Sequence, residues 1–292
     1  MSKTPRYYVP ESSPWPIVGA VAVFLLMVGF ANALHGNLFG KYVLIAGLIT
    51  LLVMFFGWFR NVINESIDGL YSDLMDKSFR WGMAWFIVSE AFFFLAFFGA
   101  LFYIRMFAVP WLGGMSSSTG KMMTGQLLWP TFEATWPLLK NPNPEILGPR
   151  EVIQPWGLPL LNTAILLTSS FTITLAHHAL KDNKRVKLII STALTFILAI
   201  AFLYFQASEY IEAYNELGLT LDSGIYGSTF FMLTGFHGMH VTLGAIMILV
   251  MLIRIMKGHF TPDNHFAFEA SAWYWHFVDV IWVGLFIFVY VL

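Results

Sequence analysis

The chain has 292 residues, of which 58% are hydrophobic, 17% aromatic and only 11% charged, with a net charge of −1. Soluble domains carry about 25% charged residues, so this composition excludes an ordinary water-soluble globule and points to a protein built in lipid. No basic surplus is present to attract a nucleic acid, and the absence of cysteine removes disulfides, thiolate metal sites and thiol nucleophiles together.

Seven apolar runs follow one another, at roughly 16–34, 42–59, 80–104, 158–177, 188–208, 225–253 and 268–291. They are continuous rather than alternating, which excludes barrel strands and predicts an all-α, polytopic membrane protein. The first run follows Lys3 and Arg6 and ends near Ala31-Asn32-Ala33, the outline of a cleavable signal. At roughly nineteen residues it is too long for a signal core and long enough to span, so it reads as a retained helix.

The third run holds Glu90 in Phe86-Ile-Val-Ser-Glu-Ala-Phe-Phe-Phe-Leu95. The nearest cations along the helix, Arg80 and Arg105, stand about 15 Å and about 22 Å away at 1.5 Å per residue. A carboxyl with no counter-charge in hydrocarbon keeps its proton. Glu90 therefore reads either as a proton-binding group or as a neutral carboxyl bonded to Ser89, a backbone carbonyl or a neighbouring helix. Between the third and fourth runs lies the only sizeable aqueous segment, 106–157, irregular and rich in Pro, Gly and Ser.

His177-His178 close the fourth run. A histidine-box diiron centre needs several such clusters, and the eight histidines here are scattered over both faces. The 209–224 segment carries Glu209, Glu212, Glu216 and Asp222 and reads as an acidic, solvated loop that could meet a basic partner. In the sixth run His237 and His240 share a helix face at i, i+3. With His276 and Asp279 of the seventh they could hold a metal or bind haem, but Gly235, Gly238 and Gly244 around them favour close helix packing with imidazoles bonding across helices. Glu269, Trp273, His276 and Asp279 fall near one stripe of the seventh run, a face made to meet polar partners.

Lysine and arginine placement sets the orientation. With the N-terminus inside, the inner segments hold Lys3, Arg6, Arg60, Lys77, Arg80, Lys181, Lys184, Arg185, Lys187, Arg254 and Lys257. The outer ones hold Lys41, Arg105, Lys121, Lys140 and Arg150. Positive-inside bias then places the N-terminus in the cytoplasm (or matrix) and the C-terminus on the opposite side, the periplasm if the membrane is bacterial. On the inner face Phe59, Arg60 and Glu65, then Arg254, Lys257, His259, His265 and Phe266, set cations beside aromatics at headgroup depth. Such a group suits an anionic phospholipid, or is ordinary positive flanking.

The residues also carry a family resemblance. Ser13-Pro-Trp-Pro16, Arg60 with Glu65-Ser66, Arg80-Trp-Gly-Met83, Ser89-Glu90, Pro159-Leu-Leu-Asn-Thr163, Ala176-His-His178, Gln206-Ala-Ser-Glu-Tyr210, Tyr226-Gly-Ser-Thr-Phe-Phe231, Gly235-Phe-His-Gly-Met-His240, His259-Phe-Thr261 and Trp273-Tyr-Trp-His-Phe-Val-Asp279 occur in order. Together they resemble subunit III of cytochrome c oxidase, in the haem–copper oxidase superfamily. The resemblance implies two bundles, helices one and two against three to seven, forming a V-shaped, lipid-filled cleft.

It further implies a non-catalytic subunit of an aa3-type oxidase, with no redox centre or metal of its own. Haem and copper would belong to partner subunits and cytochrome c would be the substrate of the whole. Direct packing on subunit I is implied, together with subunit II, small accessory subunits and bound phospholipid, and a role in proton uptake and stability. Glu90 falls on the family's intramembrane glutamate, and Phe59, Arg60, Glu65, Arg254, His259 and Phe266 on or beside lipid-associated positions. His237, His240, His276 and Asp279 read as polar packing residues. Asn64 stands where mitochondrial members often have Arg, and the long 106–157 loop suggests a bacterial enzyme in an inner (plasma) membrane. Subunit III of a quinol oxidase, typically lacking the first two helices, and a self-contained proton-coupled transporter using Glu90 and Asp279 are the alternatives.

Overall fold

The computed structural model describes residues 8–9, 12–114 and 123–292; Lys3, Arg6 and Lys121, used above for orientation, lie outside the described residues. Seven helices among them are long and apolar enough to cross a membrane. They are α1 (Trp15–Leu34), α2 (Leu38–Ile67), α3 (Asp73–Tyr103), α4 (Leu158–Lys181), α5 (Arg185–Asn215), α6 (Ile225–Met256) and α7 (Phe266–Leu285). α3 runs on through a π-helical turn, Ile104–Ala108, and a further helical turn, Val109–Leu112, and α7 through a π-helical end, Phe286–Val291. The all-α, seven-span class expected from the sequence is what the described residues form.

Several helices are longer than their apolar runs. α2 has 30 residues, where the run predicted 42–59. At 1.5 Å per residue it measures about 45 Å, against a hydrocarbon core of about 30 Å, so its last turns project beyond the lipid. α5, with 31 residues, extends to Asn215. The segment from Glu209 to Asn215 is thus helix and not the solvated loop expected. Helical hydrogen bonding does not stop where the hydropathy drops; a capping or breaking residue is needed, and here that is Gly218 at φ 63°.

The chain divides into two compact units, Met1–Trp81 and Gly82–Leu292. In the first, α1 and α2 form a hairpin through Gly36 (φ 75°), and the Asn37 side chain caps α2 by accepting the Phe39 N–H at 3.0 Å. Gly29 of α1 lies against Leu44, and Gly40 and Gly47 of α2 lie against Asn32–Ala33 and Leu25–Leu26. Small residues on both helices let the backbones touch, the usual solution where lipid supplies no hydrophobic drive.

The second unit holds the core. α6 and α7 approach so closely at Gly244 that a Cβ there would stand 2.8 Å from the Trp275 ring. Hydroxyls join the helices: Trp275 Nε1 donates to Ser169 Oγ (2.9 Å), Trp282 Nε1 to Thr163 Oγ1 (2.9 Å), and Thr172 and Thr195 share a 2.7 Å bond between α4 and α5. The 106–157 segment is partly built into this unit. Leu138 and Ile153 are buried, Trp136 meets the Tyr226 ring edge-on at 5.7 Å, and Asn141 donates to the Ser223 carbonyl at 3.2 Å. Arg105 binds the C-terminal turn, donating to the carbonyls of Phe288 (3.2 Å) and Leu292 (2.7 Å). Those carbonyls have no helical partner of their own.

Candidate functional site: intramembrane polar pairs of the second unit

Glu90 is not isolated. Its Oε2 stands 3.0 Å from His240 Nε2, the Glu90 side chain being 24% exposed and the His240 side chain 5%. Ser89, the expected local partner, donates instead to the Phe86 carbonyl at 2.7 Å. His240 Nδ1 lies 2.7 Å from the Phe236 carbonyl, and a carbonyl can only accept, so Nδ1 carries a hydrogen. Nε2 and Glu90 Oε2 then share one hydrogen bond that ties α6 to α3. Phe94 meets the imidazole edge-on at 5.0 Å, Phe93 lies at 5.9 Å, and Tyr274 stacks at 6.4 Å.

The remaining histidines go to different partners. His237 is 1% exposed; its Nε2 donates to the Val278 carbonyl at 3.2 Å and its ring lies 5.0 Å from Trp282. His276 Nδ1 is 2.8 Å from Ser170 Oγ and 3.6 Å from Asp279 Oδ2, with Nε2 3.3 Å from Thr174 Oγ1. His237, His240 and His276 thus bond to three different helices, α7, α3 and α4, while Asp279 lies beside His276 on α7 itself. The stripe read on α7 splits: His276 and Asp279 face α4 at mid-helix, whereas Trp273 meets Phe266 at 6.2 Å. Glu269 forms part of another group. His177, His265 and Glu269 offer one ligand atom each, all within 4.8 Å of one another.

The residues read as lipid-facing occur in both units. In the first, Phe59 and Arg60 are exposed on α2, Phe59 stacks with Phe55 at 6.1 Å, and Glu65 accepts the Tyr71 O–H at 2.7 Å. In the second, Arg254 is only 6% exposed and its guanidinium lies 4.5 Å over the Phe260 ring. It braces the turn after α6 rather than standing free at headgroup level. His259 beside it is held below its ordinary pKa by partial burial and then by the charges of Arg254 and Lys257, so it is neutral at pH 7. Positive charge there comes from Arg254 and the exposed Lys257.

Glu209 is the acid whose place the sequence reading missed. It is 2% exposed; its Oε1 accepts the Tyr290 O–H at 2.6 Å and the Gln206 amide at 3.3 Å. Beside it Tyr210 and Thr234 share a 2.7 Å hydroxyl bond. The signal was in the spacing. Thr195, Ala199, Phe202, Gln206, Glu209 and Ala213 recur at alternating steps of four and three, and all are buried on one face of α5.

Comparison with known proteins supplies the context. The family model described as cytochrome c oxidase subunit III matches residues 5–133 and 128–292, the two stretches meeting inside the 106–157 segment. Proteins named cytochrome c oxidase subunit 3 align along almost the whole chain. That of Danio rerio is 40% identical over 285 residues and that of Struthio camelus 41% over 285, each covering 97% of this chain and 96% of the relative. That of Osphranter robustus is 39% identical over 289 residues, covering 99% and 97%.

Proposed function

Because the chain belongs to the cytochrome c oxidase subunit III family, the membrane-embedded part of an oxidoreductase complex, we propose that it is a non-catalytic subunit of an aa3-type oxidase. In this reading it packs on subunit I, within a complex that includes subunit II and takes electrons from cytochrome c to reduce oxygen to water. It carries no redox centre and supports proton uptake and the stability of the core. The observation that carries the reading is the alignment of 97% of the chain with named relatives. The exposed apolar face of α3, with Trp81, Trp85, Phe92, Leu95 and Phe102 each more than half exposed, suits lipid and a partner helix. The positive-inside bias supports an N-terminus on the inner side of the membrane, and the long 106–157 segment supports a bacterial inner membrane, with the C-terminus periplasmic.

Phospholipid is assigned to Phe59, Arg60 and Glu65 at the end of α2, and to Arg254, His259 and Phe266 about the turn between α6 and α7. The exposed Phe59 and Arg60 on α2, and the exposed Lys257 beside Arg254 in the turn after α6, support this role. A tagged chain purified in mild detergent is expected to bring down a complex with the visible absorbance of haem. A colourless, self-sufficient chain would refute the reading as an oxidase subunit.

Glu90 is assigned a tuning role on the oxidase core through its 3.0 Å bond to His240. Glu90→Gln keeps the shape and can donate an amide N–H to His240 Nε2, while removing the titrating group. Turnover of the assembled complex is expected to stay within about threefold, under about 1 kcal/mol of barrier. A loss of several orders of magnitude in electron transfer would make Glu90 an obligatory relay instead.

A further inference from the structure

Asn162 of α4 is fully buried, and neither its Oδ1 nor its Nδ2 has a hydrogen-bond partner. Gln206 and Glu209 of α5 are buried in the same unit. The Gln206 amide donates to Glu209 Oε1 at 3.3 Å, yet Gln206 Oε1 and Glu209 Oε2 are also left without a partner. Buried side-chain polar atoms are ordinarily satisfied, so four unsatisfied ones at one place call for a ligand.

Helix geometry brings these atoms to one level. Thr172 of α4 and Thr195 of α5 share a 2.7 Å bond, which fixes the register of this antiparallel pair. From that bond, Asn162 lies about 15 Å back along α4 and Gln206 about 16 Å on along α5, at 1.5 Å per residue. At about 100° per residue, Asn162 falls on the arc of α4 between Thr172, which meets α5, and Thr163, which meets Trp282 of α7. Its amide thus points between those two helices. Gln206 and Glu209 share the Thr195 face of α5, and Glu209 accepts the Tyr290 O–H at 2.6 Å from the end of α7. The unpartnered atoms face one small space between α4, α5 and that end.

We propose that this space is a binding site for resident water, one or two molecules bridging Asn162 to Gln206 and Glu209. The atoms select the ligand: the oxygens need a donor, and the Asn162 Nδ2 needs an acceptor. Water serves both. A metal ion takes only oxygens and leaves Nδ2 unpaired. Buried waters make about three hydrogen bonds, the number met when one water donates to Gln206 Oε1 and Glu209 Oε2 and accepts from Asn162 Nδ2. The bridge ties α4 to α5 about three turns beyond the Thr172–Thr195 bond. Through Glu209, whose other oxygen anchors Tyr290, it also holds the C-terminal turn. The site does not depend on the oxidase reading.

The test uses the intact purified complex. A density map that resolves ordered water is expected to show a peak about 2.7–3.2 Å from Asn162 and from Gln206 or Glu209. A direct bond from Asn162 to either residue with no peak between them overturns the proposal. So does a peak at the about 2.3–2.6 Å of a metal–oxygen contact. Asn162→Leu, close in volume, gives a second readout. Loss of a water-bridged amide is expected to lower the apparent thermal midpoint by about 2–4 °C, whereas loss of an orphaned amide raises it. Gln206→Leu is expected to act alike, and the double variant to cost less than the two singles together, because either change already breaks the bridge. An unchanged or raised midpoint in Asn162→Leu, or additive costs, overturns the site. Where a variant fails to assemble, the wild-type map decides.

Discussion

Trp282→Ala is expected to cost about 3–5 kcal/mol, the range for removing a buried tryptophan from a packed core. Trp282 is fully buried where four helices meet. Phe202 of α5 meets it edge-on at 4.7 Å, His237 of α6 lies at 5.0 Å, and its Nε1 donates to Thr163 of α4 at 2.9 Å. Lipid is as apolar as the core, so the loss is one of packing contact and of the hydrogen bond, with little contribution from water exclusion. Trp282→Phe keeps most of the ring, and Thr163 still donates to the Pro159 carbonyl at 2.8 Å, so its cost should be nearer 1 kcal/mol. Val280→Ala, at a position 69% exposed, should change stability by under about 0.5 kcal/mol. Denaturant unfolding in mixed micelles, with near-ultraviolet circular dichroism as the readout, ranks the three. An Ala variant no weaker than Val280→Ala would remove Trp282 from the core.

Glu209→Ala is expected to destabilise the second unit by on the order of 3 kcal/mol, combining a cavity with a buried Tyr290 hydroxyl left without its acceptor. Glu209→Gln keeps a carbonyl oxygen where Oε1 accepts from Tyr290 and Gln206, and should recover most of that loss. The pattern separates two placements of the residue. A solvated loop acid would tolerate alanine and glutamine equally, and equal unfolding midpoints for the two variants would contradict the buried placement. The effect should also appear as faster proteolysis near the C-terminal turn, because Tyr290 anchors that turn to α5.

Much of the architecture was legible along the chain. Runs such as 16–34 and 225–253 state their own spans, because no other structure keeps a backbone hydrogen-bonded in hydrocarbon over that length. The helix ends were less legible. The hydropathy of α5 falls at Ser208, but its buried face continues to Ala213, since amphipathic spacing outlasts the apolar run. Reading the period rather than the mean would have placed Glu209 inside.

The polar site divides in the same way. The residue types were readable: an acid at position 90, histidines at 237, 240 and 276, and an acid at 279 are each too costly in lipid to be incidental. Their partners were not. Glu90 meets His240 across 150 positions of sequence, Ser170 meets His276 across 106, and Glu209 meets Tyr290 across 81. The sequence by itself determined what can be decided locally: seven spanning helices, their polar members and the family motifs. Only the tertiary structure decided which polar groups pair with one another and that Arg254 turns onto Phe260. Such pairings depend on the rotation and depth of whole helices, which are set by packing at small residues such as Gly244 and not by spacing within any one helix.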